Sequence, residues 1–74
     1  MKKLIDMLDS KNYYYEIDNG RIEIPFTEND CSIITVNNQY KVYTFEKNTC
    51  NIISESRWYK RPIYVVKYII NNMK

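Results

Sequence analysis

Tyr13-Tyr14-Tyr15-Glu16-Ile17-Asp18-Asn19-Gly20-Arg21-Ile22-Glu23-Ile24-Pro25-Phe26 is the stretch that decides the fold class. Before Asn19-Gly20, the residues Tyr13, Tyr15 and Ile17 alternate with Tyr14, Glu16 and Asp18; after it, Ile22, Ile24 and Phe26 alternate with Arg21, Glu23 and Pro25. A period of two belongs to a strand with one buried face. The Asn-Gly dipeptide supplies the positive φ angles of a type I′ turn, whose twist matches that of paired strands. The stretch is therefore predicted to be an antiparallel hairpin with Tyr13, Tyr15, Ile17, Ile22, Ile24 and Phe26 inward. Pro25 has no N–H to give to a ladder, so this strand or its end is expected at an edge.

Upstream, Met1, Leu4, Ile5 and Leu8 recur at spacings of three and four with Lys2, Lys3, Asp6 and Asp9 opposite them, which predicts an amphipathic helix over residues 3–11, ended by Ser10-Lys11-Asn12. Downstream, Thr27-Glu28-Asn29-Asp30 is a polar turn. Cys31 to Val36 is β-branched and free of charge, as a central strand covered on both faces is. Asn37-Asn38 turns the chain into an antiparallel neighbour, Tyr40 to Glu46, with Tyr40 and Val42 on one face and Tyr43 and Phe45 on the other. Lys47-Asn48-Thr49 leads to a short strand, Asn51 to Ser54. Pro62 suits the first position of a helix, where its missing N–H costs nothing. The helix predicted over residues 62–73 places Ile63, Val65, Val66, Ile69, Ile70 and Met73 on one side, and Tyr64, Lys67, Tyr68, Asn71 and Lys74 on the other. The expectation is one α+β domain over residues 1–74: a short N-terminal helix, an antiparallel meander of four or five strands, and a C-terminal helix packed on the sheet.

Charge divides the chain at Ser54-Glu55-Ser56-Arg57-Trp58-Tyr59-Lys60-Arg61-Pro62. Residues 1–56 hold six bases and nine acids, whereas residues 57–74 hold five bases and no acid, so a −3 body precedes a +5 tail. Such asymmetry points to a charged partner. The tail interleaves Arg57, Lys60, Arg61 and Lys67 with Trp58, Tyr59, Tyr64 and Tyr68. Bases attract phosphates and aromatic faces stack on nucleobases, while Trp, Tyr and Arg are also the usual anchors of protein interfaces. A third reading is structural, with Trp58 plugging the end of the core. A second candidate surface is acidic: Glu16, Asp18, Glu23, Glu28 and Asp30 against Arg21 alone between residues 13 and 30. It suits a basic partner through charge complementarity, or is the solvated face of an ordinary hairpin.

Seventy-four residues make one small domain, for which a single core is close to marginal, so a homodimer is among the expected possibilities. Eleven Ile, nine Asn, eight Lys and eight Tyr with no Ala suggest AT-rich coding, as in a low-GC bacterium or its phage. Only Leu4 and Ile5 follow Met1-Lys2-Lys3 before Asp6, so no secretory leader is expected. No run approaches the ~18 apolar residues of a membrane span. The reading is therefore of a cytoplasmic protein, without membrane attachment and with reduced thiols at Cys31 and Cys50, a disulfide being the alternative. With no His, the two cysteines lack the further ligands of a zinc site, and general acid–base work near neutral pH loses its commonest group. No glycine-rich phosphate loop or activated nucleophile is present. Neither enzyme activity nor a metal or cofactor is expected.

Leu4-Ile5-Asp6-Met7-Leu8 through Lys11-Asn12-Tyr13-Tyr14-Tyr15, with Ile33-Ile34-Thr35-Val36-Asn37-Asn38 and the Tyr-rich strand that returns from it, resembles the small phage-encoded anti-CRISPR proteins that inhibit type II RNA-guided nucleases. The resemblance covers residues 4–45 and implies a compact helix–sheet–helix domain. It also implies an inhibitor that binds a larger bacterial protein or ribonucleoprotein, such as a CRISPR effector, and blocks it. The tail here is basic where the best-known inhibitor of this shape is an acidic DNA mimic, so DNA mimicry does not carry over. The element order is also similar to double-stranded RNA-binding domains, although Arg57-Trp58-Tyr59-Lys60-Arg61-Pro62 stands where their small-residue, lysine-rich helix start belongs. The alternative function is thus a small RNA- or DNA-binding module using the basic tail.

Overall fold

Asn19 and Gly20 adopt φ angles of 52° and 76°, and Asp18 pairs with Arg21 across them, which is the two-residue hairpin that the dipeptide encodes. The computed structural model describes residues 2–72, and in it the chain runs α1 (Lys2–Ser10), β1 (Glu16–Asp18), β2 (Arg21–Pro25), β3 (Asn29–Val36), β4 (Gln39–Glu46), β5 (Ile52–Glu55) and α2 (Pro62–Asn72). The strands form one antiparallel sheet in the order β1-β2-β3-β4-β5. Both helices lie on one face, so the fold is the expected α+β layout with five strands. Met1, Met73 and Lys74, assigned above to the two helices, lie outside the described residues.

α1 stops because Asn12 takes a left-handed φ of 62°. Asn12 N–H then donates to Asp9 O at 3.0 Å and Tyr13 N–H to Leu8 O at 3.1 Å, a Schellman cap that satisfies the last carbonyls of the helix. A second two-residue turn joins β3 to β4, with Asn37 and Asn38 at φ 51° and 61° and Val36 paired with Gln39.

The core comprises Leu4 and Leu8 of α1; Ile22, Ile24, Cys31, Ile33, Tyr40 and Val42 of the sheet; and Val65, Val66 and Ile69 of α2. Each such aliphatic side chain, fully buried, stabilises the fold by about 1.5–3 kcal/mol. The alternation predicted for β2 and β4 is observed, and β3 is the central strand.

Four expectations are corrected. β1 is only three residues long and Ile17 is exposed: it lies on the edge strand, beyond the helix layer, while Tyr13 and Tyr15 pack on the core from the loop before it. β3 is covered by helices on one face only; Ile34 is half-buried and Val36 exposed on the other, and Ser32 is shielded there between Glu23 and Tyr43 in register. β5 is displaced by one residue from the expected Asn51–Ser54, and a bulge opposite Thr44 and Phe45 leaves all four of its residues exposed. On α2, Val65, Val66 and Ile69 face inward, but Ile63 and Ile70 face solvent. Pro62, Val65, Val66 and Ile69 stand at i, i+3, i+4 and i+7, a complete stripe, so the remaining isoleucines fall outside it.

The uncovered face is ordered by the ladder into rows across the strands. One row is Glu16, Glu23, Ser32, Tyr43 and Glu55; the next is Asp18, Arg21, Ile34 and Lys41.

Candidate functional site

The geometry of the joint between sheet and α2 starts from Ser56. Its N–H donates to Val42 O at 2.8 Å and its hydroxyl accepts the Val42 N–H at 2.9 Å, while the same hydroxyl donates to Arg57 O at 2.7 Å. Three residues on, Tyr40 and Tyr59 exchange both backbone bonds at 2.7 Å. Between these two anchor points Arg57 and Trp58 together oppose the single residue Lys41, a bulge that re-aims the strand. Trp58 is thereby turned onto the uncovered sheet face, where it is 41% exposed beside Val36, Asn37 and Gln39. It does not plug the core. Lys41 Nζ sits 5.6 Å from the Trp58 ring centre and 5.3 Å from that of Tyr43.

Tyr59 points the other way. Its ring lies 6.2 Å from Tyr64 and 6.4 Å from Tyr68, and Tyr68 packs on the core with its hydroxyl 3.3 Å from that of Ser54. Of the eight residues singled out in the tail, Tyr59 and Tyr68 therefore brace the joint, Trp58 belongs to the sheet face with Arg57 exposed beside it in the bulge, and Lys60, Arg61, Tyr64 and Lys67 remain on the outer side of α2 and the turn before it. Lys67 Nζ lies 5.7 Å from the Tyr64 ring.

This outer side includes two residues that periodicity had assigned to the core. Ile63, Tyr64 and Ile70 are 40%, 46% and 49% exposed. Ile63, Lys67 and Ile70 stand at i, i+4 and i+7, so they share a face, with Lys67 between the two isoleucines along it. Lys60 and Arg61 extend the patch at its N-terminal end. On the sheet, Arg21, Lys41 and Lys47 are paired with Glu23, Glu55 and Asp30 at 3.5, 3.5 and 2.8 Å. Among the described residues no carboxylate pairs with Arg57, Lys60, Arg61 or Lys67.

Four of the five acidic residues share the uncovered sheet face, and Glu28 stands apart from them. Glu16, Glu23 and Asp30 line a shallow hollow with Ile24, Pro25 and Cys31, whereas Asp18 faces Arg21 and Glu28 lies in the turn after β2. Glu16 stands directly opposite Glu23, an unfavourable like-charge pair. It is eased by Tyr14, which donates to Glu16 at 2.7 Å, and by Arg21 and Ser32, which hold Glu23 at 3.5 and 3.1 Å. The hydrogen bond to Glu16 and its charge push the Tyr14 phenol upward from its ordinary value. Burial, then the Asp9 carboxylate, does the same to Tyr15. Burial and the nearby Glu23 push the Cys31 thiol up to about 12, so it stays protonated and inert. Cys50 is exposed, and both cysteines are free.

Comparison with protein-family models, curated proteins and solved structures gives no match. Among the described residues no group of three or more His, Cys, Asp or Glu is placed to hold a metal ion, and no helix is long and apolar enough to cross a membrane. The joint and α2 present an aliphatic and basic helix side, held at a set angle by the Tyr59 stack and the Ser56 bulge. One signal for it was present in the sequence, the surplus of α2 isoleucines beyond a single stripe.

Proposed function

We propose that this protein is a small binding protein of phage or mobile-element origin that occupies the surface of a larger bacterial protein or ribonucleoprotein and blocks access to it. The observation that carries the reading is the exposure of Ile63, Tyr64 and Ile70 around Lys67, alongside Lys60 and Arg61, which have no carboxylate partner among the described residues. An apolar centre with a polar rim is the composition of a protein interface, and a helix that presents such a face fits a groove on its partner. Phosphate contacts alone have no use for two exposed isoleucines. The resemblance to anti-CRISPR inhibitors makes a type II RNA-guided nuclease the first partner to test, in the bacterial cytoplasm, with blockage rather than chemistry as the mode of action.

The test is inhibition of DNA cleavage by such a nuclease, with direct capture of the complex on the tagged protein. Ile63→Ser/Ile70→Ser and Lys60→Glu/Arg61→Glu variants that stay folded are expected to lose capture and inhibition together. Retention of both activities by both variants would remove α2 as the interface. No effect of the wild-type protein on the nuclease would remove the partner class.

A second reading, nucleic-acid binding, is supported by the lack of carboxylate partners for Arg57, Lys60, Arg61 and Lys67 among the described residues. Binding of that kind weakens steeply with salt as counterions are released. A mobility-shift titration with RNA and DNA at two salt concentrations separates it from the protein-binding reading.

A further inference from the structure

We propose that the uncovered face of the sheet is closed by the same face of a second copy of this chain, around a two-fold axis running across the strands. The face has an apolar centre in Ile34, Tyr43 and Phe45, with Trp58 at its margin. Its charges are what specify the occupant. In the first row stand Glu23, Tyr43 and Glu55; one row along the same three strands stand Arg21, Lys41 and the Arg57-Trp58 bulge. A two-fold axis lying between these rows and parallel to them exchanges one row for the other. Glu23 then meets Arg21 of the second copy, Glu55 meets Arg57, and Tyr43 meets Lys41, each contact occurring twice, as an isologous interface requires. The intrachain pair Arg21–Glu23 becomes part of an alternating four-charge cluster, and Lys41–Glu55 gains Arg57 of the second copy, so neither pair is broken. Ser32 and Ile34 of the central strand lie over Ile34 and Ser32 of the copy. An axis along the strands is less favourable: it places Glu55 over Glu16 and Lys41 over Arg21, against the one opposite-charge contact of Arg57 with Asp18.

Size agrees with this. The strands hold 3, 5, 8, 8 and 4 residues; at about 4.8 Å between strands and about 3.4 Å per residue they project a face of roughly 460 Å², the size of a small, concentration-dependent interface. Facing sheets with interdigitated side chains are an ordinary packing mode. Because α2 lies on the opposite side of the sheet, a dimer leaves Ile63, Tyr64, Lys67 and Ile70 of both copies open. The inference therefore stands independently of the partner proposed above. One contact opposes the arrangement: Glu16 comes over Asp18 of the second copy at the short β1 edge.

The test is sedimentation equilibrium across a protein concentration series, with Trp58 emission as a second readout. Wild type is expected to reach twice the 9.0 kDa chain mass, with a blue shift as Trp58 is covered. Arg57→Glu and Glu55→Lys are each expected to raise the dissociation constant about tenfold or more, and an equimolar mixture of the two to recover wild-type affinity. Glu16→Lys is expected to tighten the dimer, since it removes the one like-charge contact. Ile34→Glu, flanked in its row by Arg21 and Lys41, is expected to stay folded and monomeric. A wild type that sediments at 9.0 kDa throughout overturns the proposal. So does a mixture no tighter than its components, or a monomer whose Trp58 emission responds to an oligouridylate, which assigns the face to nucleic acid.

Discussion

Ser56 and Val42 are joined twice, once by a backbone bond of 2.8 Å and once through the Ser56 hydroxyl, which accepts the Val42 N–H at 2.9 Å. The hydroxyl stands in for a strand carbonyl at the point where the chain leaves the ladder, and its own proton goes to Arg57 O. Ser56 is 6% exposed, so water does not replace these bonds. Ser56→Ala leaves the Val42 N–H buried without its acceptor and is expected to cost about 1–3 kcal/mol in urea unfolding. The Arg57-Trp58 bulge loses its tether in the same variant, so Trp58 emission in the folded state should change as well. Ser56→Thr keeps the hydroxyl and should behave like wild type in both measurements.

The turns give a second prediction. Gly20 has φ 76° and nothing within 4 Å of the place a Cβ would take, so Gly20→Ala meets only the backbone cost of a left-handed residue, about 1 kcal/mol. Asn38 at φ 61° bears part of that cost, and Asn38→Gly relieves it while loosening the unfolded chain, so it should stabilise by less than about 1 kcal/mol. The expected result is opposite shifts in urea midpoint with unchanged slope. A stabilising Gly20→Ala would mean that the turn is not of the type described.

Thiol chemistry gives a third. With Cys31 raised to about 12 from 9.0, its thiolate fraction near pH 8 is about a thousandfold lower than in an unfolded chain. One thiol, Cys50, should react with a disulfide reagent in the native protein and two in denaturant. The linkage follows in sign: the folded state prefers the neutral thiol, so this contribution to stability is complete below pH 9 and is lost as pH rises towards 12. Cys31→Val should flatten the fall in stability over that window. An equally steep fall in wild type and variant would show that Cys31 does not titrate as described.

Element order was legible because local chemistry and global fold agree at the punctuation: Asn12, Asn19-Gly20, Asn37-Asn38 and Pro62 each sit where backbone conformation demands such a residue. The layer arrangement of the sheet was less legible. Cys31 to Val36 carries no charge and ends in four β-branched residues, and such a run does not reveal whether one face or two are covered. Ile17 shows the same limit, since alternation identifies a face but not how far the helix layer extends over it. The bulge at Arg57-Trp58 depends on a hydroxyl bonding 14 residues away in the chain, which no local pattern encodes. The candidate surface on α2 is partly legible: the period places Tyr64 and Lys67 outward, but it groups Ile63 and Ile70 with the core because hydrophobicity does not reveal how wide the buried stripe is.

The rotational setting of α2 can be tested by two substitutions one turn apart. Val66 is 2% exposed and belongs to the core cluster, while Ile70, at i+4, is 49% exposed. Removing methyl groups from a packed site loses their transfer energy and leaves a cavity, so Val66→Ala is expected to destabilise by about 1–3 kcal/mol. Ile70→Ala removes more atoms, yet they are already half in water, and its expected effect lies within about 0.5 kcal/mol of zero. Hydrophobicity alone orders the two the other way, because isoleucine is the larger residue. Urea unfolding of the pair, with Ile63→Ala as a third member expected to follow Ile70, therefore reads the angle of the helix directly. Larger losses at Ile63 and Ile70 than at Val66 would turn α2 by about a quarter of a circle, bury the proposed interface and move the partner surface to the side that bears Tyr68.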